Sequence, residues 1–267
     1  MIVTRFAPAP TGYLHLGHVL NAVYVWDIAR ASGPDARVLL RIEDHDRARS
    51  RPEFEAALFE DLAWLGFVAD GRITRQSERD SVYESALDDL RKRGLTYACE
   101  CSRTEIGGGR YPGTCSTRNL PEASGLGIRV RLAPTAERFD DLRLGPQEQR
   151  PSEECGDVLV RDRHGNWTYQ FAVVVDDWQQ GVNLVIRGED LLDSTGRQIQ
   201  LARLLGRAEP PSFLHHALLM KTATQKLSKS DGDTGVRDLR ARGWSAEAVI
   251  DRATTLAGLP RDHRSRQ

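Results

Sequence analysis

The sequence predicts an α/β protein organised around its first strand, loop and helix. Three observations carry this. Short apolar runs alternate with amphipathic segments along most of the chain. The first run, Ile2 to Phe6, enters the loop Ala7-Pro8-Ala9-Pro10-Thr11-Gly12, and a helix then starts at His15-Leu16-Gly17-His18. The second run, Arg37 to Ile42, ends in Glu43-Asp44-His45-Asp46, at the strand end where open α/β sheets bind ligands.

The composition sets wide bounds. The chain has 267 residues, a net charge of −1 and 40% hydrophobic residues, enough for one or two domains with a sizeable core. A near-neutral charge neither selects nor excludes a nucleic-acid partner; only a local patch would. No apolar run approaches the roughly 20 residues that span a bilayer, so no membrane partner is expected. No basic segment followed by an apolar one opens the chain, so no signal peptide is expected and the expected location is the cytoplasm. Of four cysteines, Cys99, Cys101 and Cys115 crowd into one stretch, which in a cytosolic chain favours a metal over disulfides.

Each element follows from its pattern. Val19, Leu20, Val23, Trp26 and Ile28 recur at helical spacing after the His15–His18 tetrapeptide. A helix start offers free N–H groups and positive potential, which suits phosphate, and two imidazoles one turn apart add donors on that side. Arg51 to Leu65 is amphipathic and ends at Gly66; Ile73 to Ser77 is extended; Ser81 to Gly94 is a helix. Ile128 to Leu132 alternates as a strand, with a partner expected to begin over Phe139 to Leu144 and a polar loop over Gln147 to Glu154. Residues 158–169 are expected to form a hairpin. Val182 to Ile186 is a strand ending in Arg187-Gly188-Glu189-Asp190, Ser194 to Leu205 is a helix, and Phe213 to Met220 is a last buried strand, with His215 and His216 read as packing residues. Lys226-Leu227-Ser228-Lys229-Ser230 is a lysine loop suited to a phosphoryl transition state. One or two helices are expected beyond Gly235.

Zinc needs about four ligands in a tetrahedron. Cys99, Cys101 and Cys115 supply three thiolates, and Gly107-Gly108-Gly109 lets the loop fold back. The fourth ligand stays open at this level, with Cys155 and water among the choices.

Several of these stretches carry a resemblance. Arg5-Phe6-Ala7-Pro8-Ala9-Pro10-Thr11-Gly12-Tyr13-Leu14-His15-Leu16-Gly17-His18 resembles the HIGH-box segment of class I glutamyl-tRNA synthetases. Arg41-Ile42-Glu43-Asp44, Tyr169 to Trp178, and Val185 to Leu192 match the same family, and Lys226 to Ser230 resembles its KMSKS loop. The resemblance implies the Rossmann-type parallel-sheet fold of class I aminoacyl-tRNA synthetases, with a zinc-containing insertion and a short helical C-terminal part. It implies a first catalytic half over 1–98, a zinc-binding, acceptor-type insertion over 99–163, a second half over 164–220, and the lysine loop with its tail over 221–267. It further implies that His15, Gly17, His18, Lys226 and Lys229 bind ATP, with His15, His18 and Lys229 catalytic and Mg2+ accompanying the nucleotide. Arg5, Phe6, Ala7, Pro8, Ala9, Glu43, Tyr169 and Arg187 would line the glutamate pocket. Tyr111 would join Cys99, Cys101 and Cys115 as the fourth ligand of one structural zinc. Ala9 stands where the family often has Ser.

Only 37 residues follow Ser230. A full glutamyl-tRNA synthetase carries a large anticodon-binding region there, so the chain is most similar to the short paralogue family, the glutamyl-queuosine tRNA(Asp) synthetases. That similarity implies a monomer that activates glutamate with ATP and transfers it to the queuosine base of tRNA(Asp). The alternative is a glutamyl-tRNA synthetase core charging an acceptor end.

Overall fold

The computed structural model describes residues 1–219 and 235–259. Lys226 and Lys229 therefore lie outside the described residues. In chain order the elements are β1 (Val3–Phe6), α1 (Leu16–Ala31), β2 (Arg37–Ile42), α2 (Pro52–Leu65), β3 (Thr74–Arg75), α3 (Asp80–Lys92), β4 (Thr96–Cys99), α4 (Arg103–Ile106), β5 (Gly127–Val130), β6 (Glu137–Asp141), β7 (Gly145–Gln149), α5 (Pro151–Glu154), β8 (Val158–Arg161), α6 (Tyr169–Gln179), β9 (Leu184–Gly188), α7 (Thr195–Leu204), β10 (Ser212–His216), α8 (Val236–Ala241) and α9 (Ala246–Leu256). They group into two compact units: residues 1–75 and 184–190 with those described from 213 onward, and residues 76–183 with 191–212.

The first unit is built on parallel strands. β1 pairs with β2 in register, Val3 opposite Arg37 and Phe6 opposite Leu40, and β2 continues the parallel order to β3. β9 and β10 are hydrogen-bonded neighbours. The apolar positions of α1, among them Leu16, Val19, Leu20, Val23 and Trp26, pack with Phe6, Leu40, Ile42 and Ile186, and with Val249 and Ala253 of α9. Burying this stripe is the main driving force for the helix, because isolated helices of this length are marginal in water. Pro52 starts α2 at its first turn, where a missing N–H costs nothing, and Gly66 ends it in the left-handed region at φ 78°.

The second unit holds the antiparallel sheet β4-β5-β8, with Thr96 opposite Val130 and Val130 opposite Val158. Its core joins Tyr83, Leu87 and Leu90 of α3 to Phe171, Val174 and Val175 of α6. Asp176, fully buried on α6, ties these helices together. It accepts from Gln76 Nε2 at 2.8 Å, Arg79 Nε at 2.6 Å and Tyr83 Oη at 2.9 Å.

Four expectations change. The strand around Phe139 pairs with Gly145–Gln149, not with the strand at Ile128; β6 and β7 form their own hairpin, Phe139 opposite Gln147. The stretch 147–154 is accordingly not a polar loop: it supplies β7 and the one-turn α5. The hairpin at 158–169 reduces to a single bridge, Arg161 with Trp167, because Tyr169 already opens α6. The last strand ends at His216 rather than running on to Met220. In each case the sequence pattern identified an extended or polar stretch but carried no information on its partner.

Candidate active site and metal centre

The loop after β1 delivers two imidazoles to the start of α1. His15 is the N-cap, and its Nδ1 accepts the Gly17 N–H at 3.1 Å. Three residues on, His18 Nδ1 accepts the His15 N–H at 3.2 Å. Each histidine thus caps a backbone donor that the helix leaves without an intrahelical partner. A ring nitrogen that accepts carries no proton, so both neutral rings hold theirs on Nε2. The rings lie 3.9 Å apart, centroid to centroid. Gly17 makes this possible: a Cβ there would sit 2.9 Å from His15 Cε1. N–H donors and a positive helix end suit an anionic ligand such as phosphate.

A buried charged group lies in the same unit. Arg5 on β1 donates to the Ile186 carbonyl of β9 at 3.3 Å. Glu43, just past β2, is buried and accepts from Arg41 Nη2 at 3.1 Å. Burial pushes its carboxyl above the ordinary 4.5, against the pull of Arg41, Arg5 and His45. The Glu43 N–H donates to the Pro8 carbonyl at 3.0 Å, which ties the carboxylate to the first loop. Arg187, near the end of β9, is buried and its Nε donates to His215 Nε2 at 3.0 Å. Carboxylate and guanidinium groups of this kind can recognise the amino and carboxylate groups of an amino acid.

The other expected pocket residues fall as follows. Phe6 is a core residue, its ring 5.5 Å from that of Trp26. Ala7 and Ala9 are half-buried and Pro8 is buried. Tyr169 is the first residue of α6 in the second unit and is half-buried. Two contributors escaped the sequence reading. Arg41 is fully buried against Glu43, and its place two residues before that carboxylate was the available signal. His215 was assigned to packing, and nothing local in the sequence pairs it with Arg187.

The three crowded cysteines converge in the second unit. The Sγ atoms of Cys99, Cys101 and Cys115 all lie within 4.8 Å of one another, and Cys101 and Cys115 are 3.6 Å apart. Tetrahedral zinc–thiolate bonds of about 2.3 Å set sulfurs about 3.8 Å apart, so the cluster fits that ion. Tyr111 Oη is 3.5 Å from Cys99 Sγ and accepts the Cys115 N–H at 2.9 Å. Cys155 lies outside the group, its thiol turned to the Pro151 carbonyl at 3.0 Å. Burial acts to raise the Cys115 thiol, but hydrogen bonds from the Glu100 backbone, Cys101 and Tyr111 bring it down to about 7. Burial and the neighbouring thiols push Cys101 up to about 11. A dication would release these protons. Arg129, also buried, donates from Nε to Cys99 Sγ at 3.2 Å and stacks its guanidinium 3.6 Å from the Tyr111 ring centre.

Comparison with known proteins agrees with this arrangement. A family model described as class I tRNA synthetases (E and Q), catalytic domain, matches residues 1–264. The glutamyl-Q tRNA(Asp) synthetase of Rhodobacter capsulatus is 41% identical over 272 residues, covering 91% of this chain and 96% of that protein. The protein of the same name from Pseudomonas fluorescens is 43% identical, covering 94% and 87%. Among solved structures, a glutamate tRNA ligase from Elizabethkingia meningosepticum, in complex with its amino acid, superposes with a TM-score of 0.82 at 27% identity. It covers 94% of this chain, while this chain spans 60% of that one.

Proposed function

Because this chain belongs to the class I glutamyl- and glutaminyl-type tRNA synthetases, catalytic domain, we propose that it activates glutamate with ATP and transfers it to the queuosine base of tRNA(Asp). The geometric observation that carries the reading is the reciprocally capped imidazole pair at the start of α1, in one unit with buried Arg5, Glu43 and Arg187. Identity above 40% with relatives named for this reaction supports the choice of acceptor.

Activation is an attack of the glutamate α-carboxylate oxygen on the α-phosphorus of ATP. One P–O bond forms as the bond to pyrophosphate breaks, and glutamyl-adenylate remains. Little covalent help is needed; positioning and charge stabilisation supply the rate. His15 and His18 donate from Nε2 to phosphate oxygens, and Lys226 and Lys229 add positive charge. ATP arrives as its Mg2+ complex. Glu43 holds the substrate ammonium. Arg187, with Arg5 and the Phe6–Ala9 loop, holds the substrate carboxylates. A pocket built on guanidinium groups rejects glutamine, which would leave a buried cation unpaired. A hydroxyl of the acceptor base then attacks the activated carbonyl, and AMP departs.

Zinc held by Cys99, Cys101, Tyr111 and Cys115 would be structural, cross-linking the loop between β4 and β5. The segment 99–163 is the tRNA-facing insertion between the catalytic halves 1–98 and 164–220, and 221–267 carries the lysine loop and tail. No described helix is long and apolar enough to cross a membrane. Glutamate-dependent ATP–pyrophosphate exchange without tRNA tests the first step. Exchange with glutamate and not glutamine is expected; no exchange under any condition would overturn the reading.

A further inference from the structure

The loop between β1 and α1 is held from outside at three carbonyls. Pro8 accepts from the Glu43 N–H at 3.0 Å, Pro10 from the Arg51 N–H at 3.1 Å, and Leu14 from the Val236 N–H at 2.9 Å. The first two donors belong to the segment between β2 and α2. The third belongs to α8, and it acts one residue before the N-cap of α1. Gly235 and His15 pair there as an isolated antiparallel bridge. Side chains reinforce the contact. Val236 and Leu239 are buried in the same core as Leu14 and Leu16. The Arg237 guanidinium carbon lies 5.1 Å from the ring centre of Tyr13, whose ring meets that of Phe54 edge-on at 5.0 Å.

An N-cap residue needs extended, non-helical backbone angles. His15 has them, with φ −132° and ψ 172°. Leucine favours helix, so without the bridge α1 can extend back through Leu14 and His15. His15 would then cease to be the cap, and its ring would no longer accept the Gly17 N–H. The bond from Val236 opposes that extension, because a residue paired with an extended neighbour cannot also be helical.

We propose that the first turn of α8 is a positioning element for activation and Val236 its key residue: the Val236 N–H holds Leu14 and His15 extended, and so keeps the His15 imidazole at the helix start as a phosphate ligand. This rests on the reading above that His15 binds the phosphates of ATP.

The test is pyrophosphate exchange on the full chain for Val236→Pro, Val236→Ala and Arg237→Leu, with amide hydrogen exchange at Gly17 followed in the same proteins. Proline suits the first position of a helix, and the extended ψ of 131° at Gly235 accommodates it. Val236→Pro therefore deletes the N–H while α8 stays intact. It lowers kcat by about tenfold, the weight of one hydrogen bond, and speeds exchange of the Gly17 amide. Its KM for glutamate stays within about twofold, because the lost contact is not to that substrate. Val236→Ala truncates the buried side chain but keeps the N–H; its kcat stays within about twofold of wild type and Gly17 stays protected. Arg237→Leu lowers kcat by about two- to fivefold, the weight of an exposed cation–π contact.

Equal losses in Val236→Pro and Val236→Ala overturn the role of the N–H in favour of side-chain packing. Unchanged kcat and Gly17 protection in Val236→Pro overturn the inference and leave the reading of His15 intact. A loss of kcat with Gly17 still protected overturns it too. No exchange in the wild-type protein removes the reading of His15, and the Gly17 amide alone then decides whether α8 holds the cap. Should Val236→Pro not fold, Arg237→Leu decides, and unchanged kcat and Gly17 protection there overturn the inference.

Discussion

His15 and His18 cap the same helix turn: the His18 Nδ1 accepts the His15 backbone N–H at 3.2 Å while the two rings lie 3.9 Å apart. In the proposed reaction, capping and phosphate binding draw on different nitrogens of the same rings, Nδ1 for the helix and Nε2 for the phosphates. Gly17→Ala should disturb both, because its Cβ would meet His15 Cε1 at 2.9 Å. The expected result is a fall in exchange kcat of about 10²–10³-fold, comparable with removal of one transition-state donor, at unchanged metal content. A fall below twofold would contradict the geometry.

The metal centre makes a separate prediction through Arg129, which contacts Cys99 and the face of Tyr111. In the proposed zinc site, three thiolates and a phenolate around a dication would leave surplus negative charge, which Arg129 would offset. Arg129→Leu should lower zinc affinity by about 10–100-fold, the usual weight of a group that supports a ligand. Tyr111→Phe should also weaken zinc retention. Competition with a chromogenic chelator measures both, and equal affinity in Tyr111→Phe would exclude Tyr111 as a ligand.

Asp61 on α2 is 1% exposed, and neither carboxylate oxygen has a hydrogen-bond partner among the described residues. Burial raises its pKa from 3.8 to about 6, against the pull of Arg237 and Arg240 on α8. Between those values the folded protein holds a proton that the unfolded chain has released. Stability therefore falls as pH rises through this window, and the loss is complete above it. Asp61→Asn should raise the Tm at pH 8, with a smaller gain at pH 5. The same difference at both pH values would count against the buried charge.

Asp176 collects three donors from Gln76, Arg79 and Tyr83 in the interior of the second unit. Asp176→Ala strands Arg79 and should destabilise the protein by about 3–5 kcal/mol, as expected when one partner of a buried pair is removed. Urea unfolding measures this. A change under 1 kcal/mol would show that the network contributes little.

Much of this was legible in the chain itself, for local reasons. The strand–loop–helix at the N-terminus is dictated by a short apolar run, a Pro/Gly loop and helical periodicity within some thirty residues, and β1, α1 and β2 follow it. The convergence of Cys99, Cys101 and Cys115 followed from their spacing. What escaped depends on contacts remote in sequence. The pairing of β6 with β7 rather than with β5 is a choice of partner, which strand propensity does not encode. The Arg187–His215 bond joins two strands 28 residues apart, and only the sheet brings them together.

Transfer of labelled glutamate to tRNA(Asp) decides the identity of the proposed acceptor. Purified protein, ATP and glutamate are mixed with queuosine-bearing tRNA(Asp), with the same tRNA lacking queuosine, and with queuosine-bearing tRNA whose 3′ end has been trimmed. Label is expected on both queuosine-bearing tRNAs, trimmed or not, and none on tRNA without queuosine. Label that depends on an intact 3′ end and ignores queuosine would contradict this and make the protein an acceptor-end synthetase.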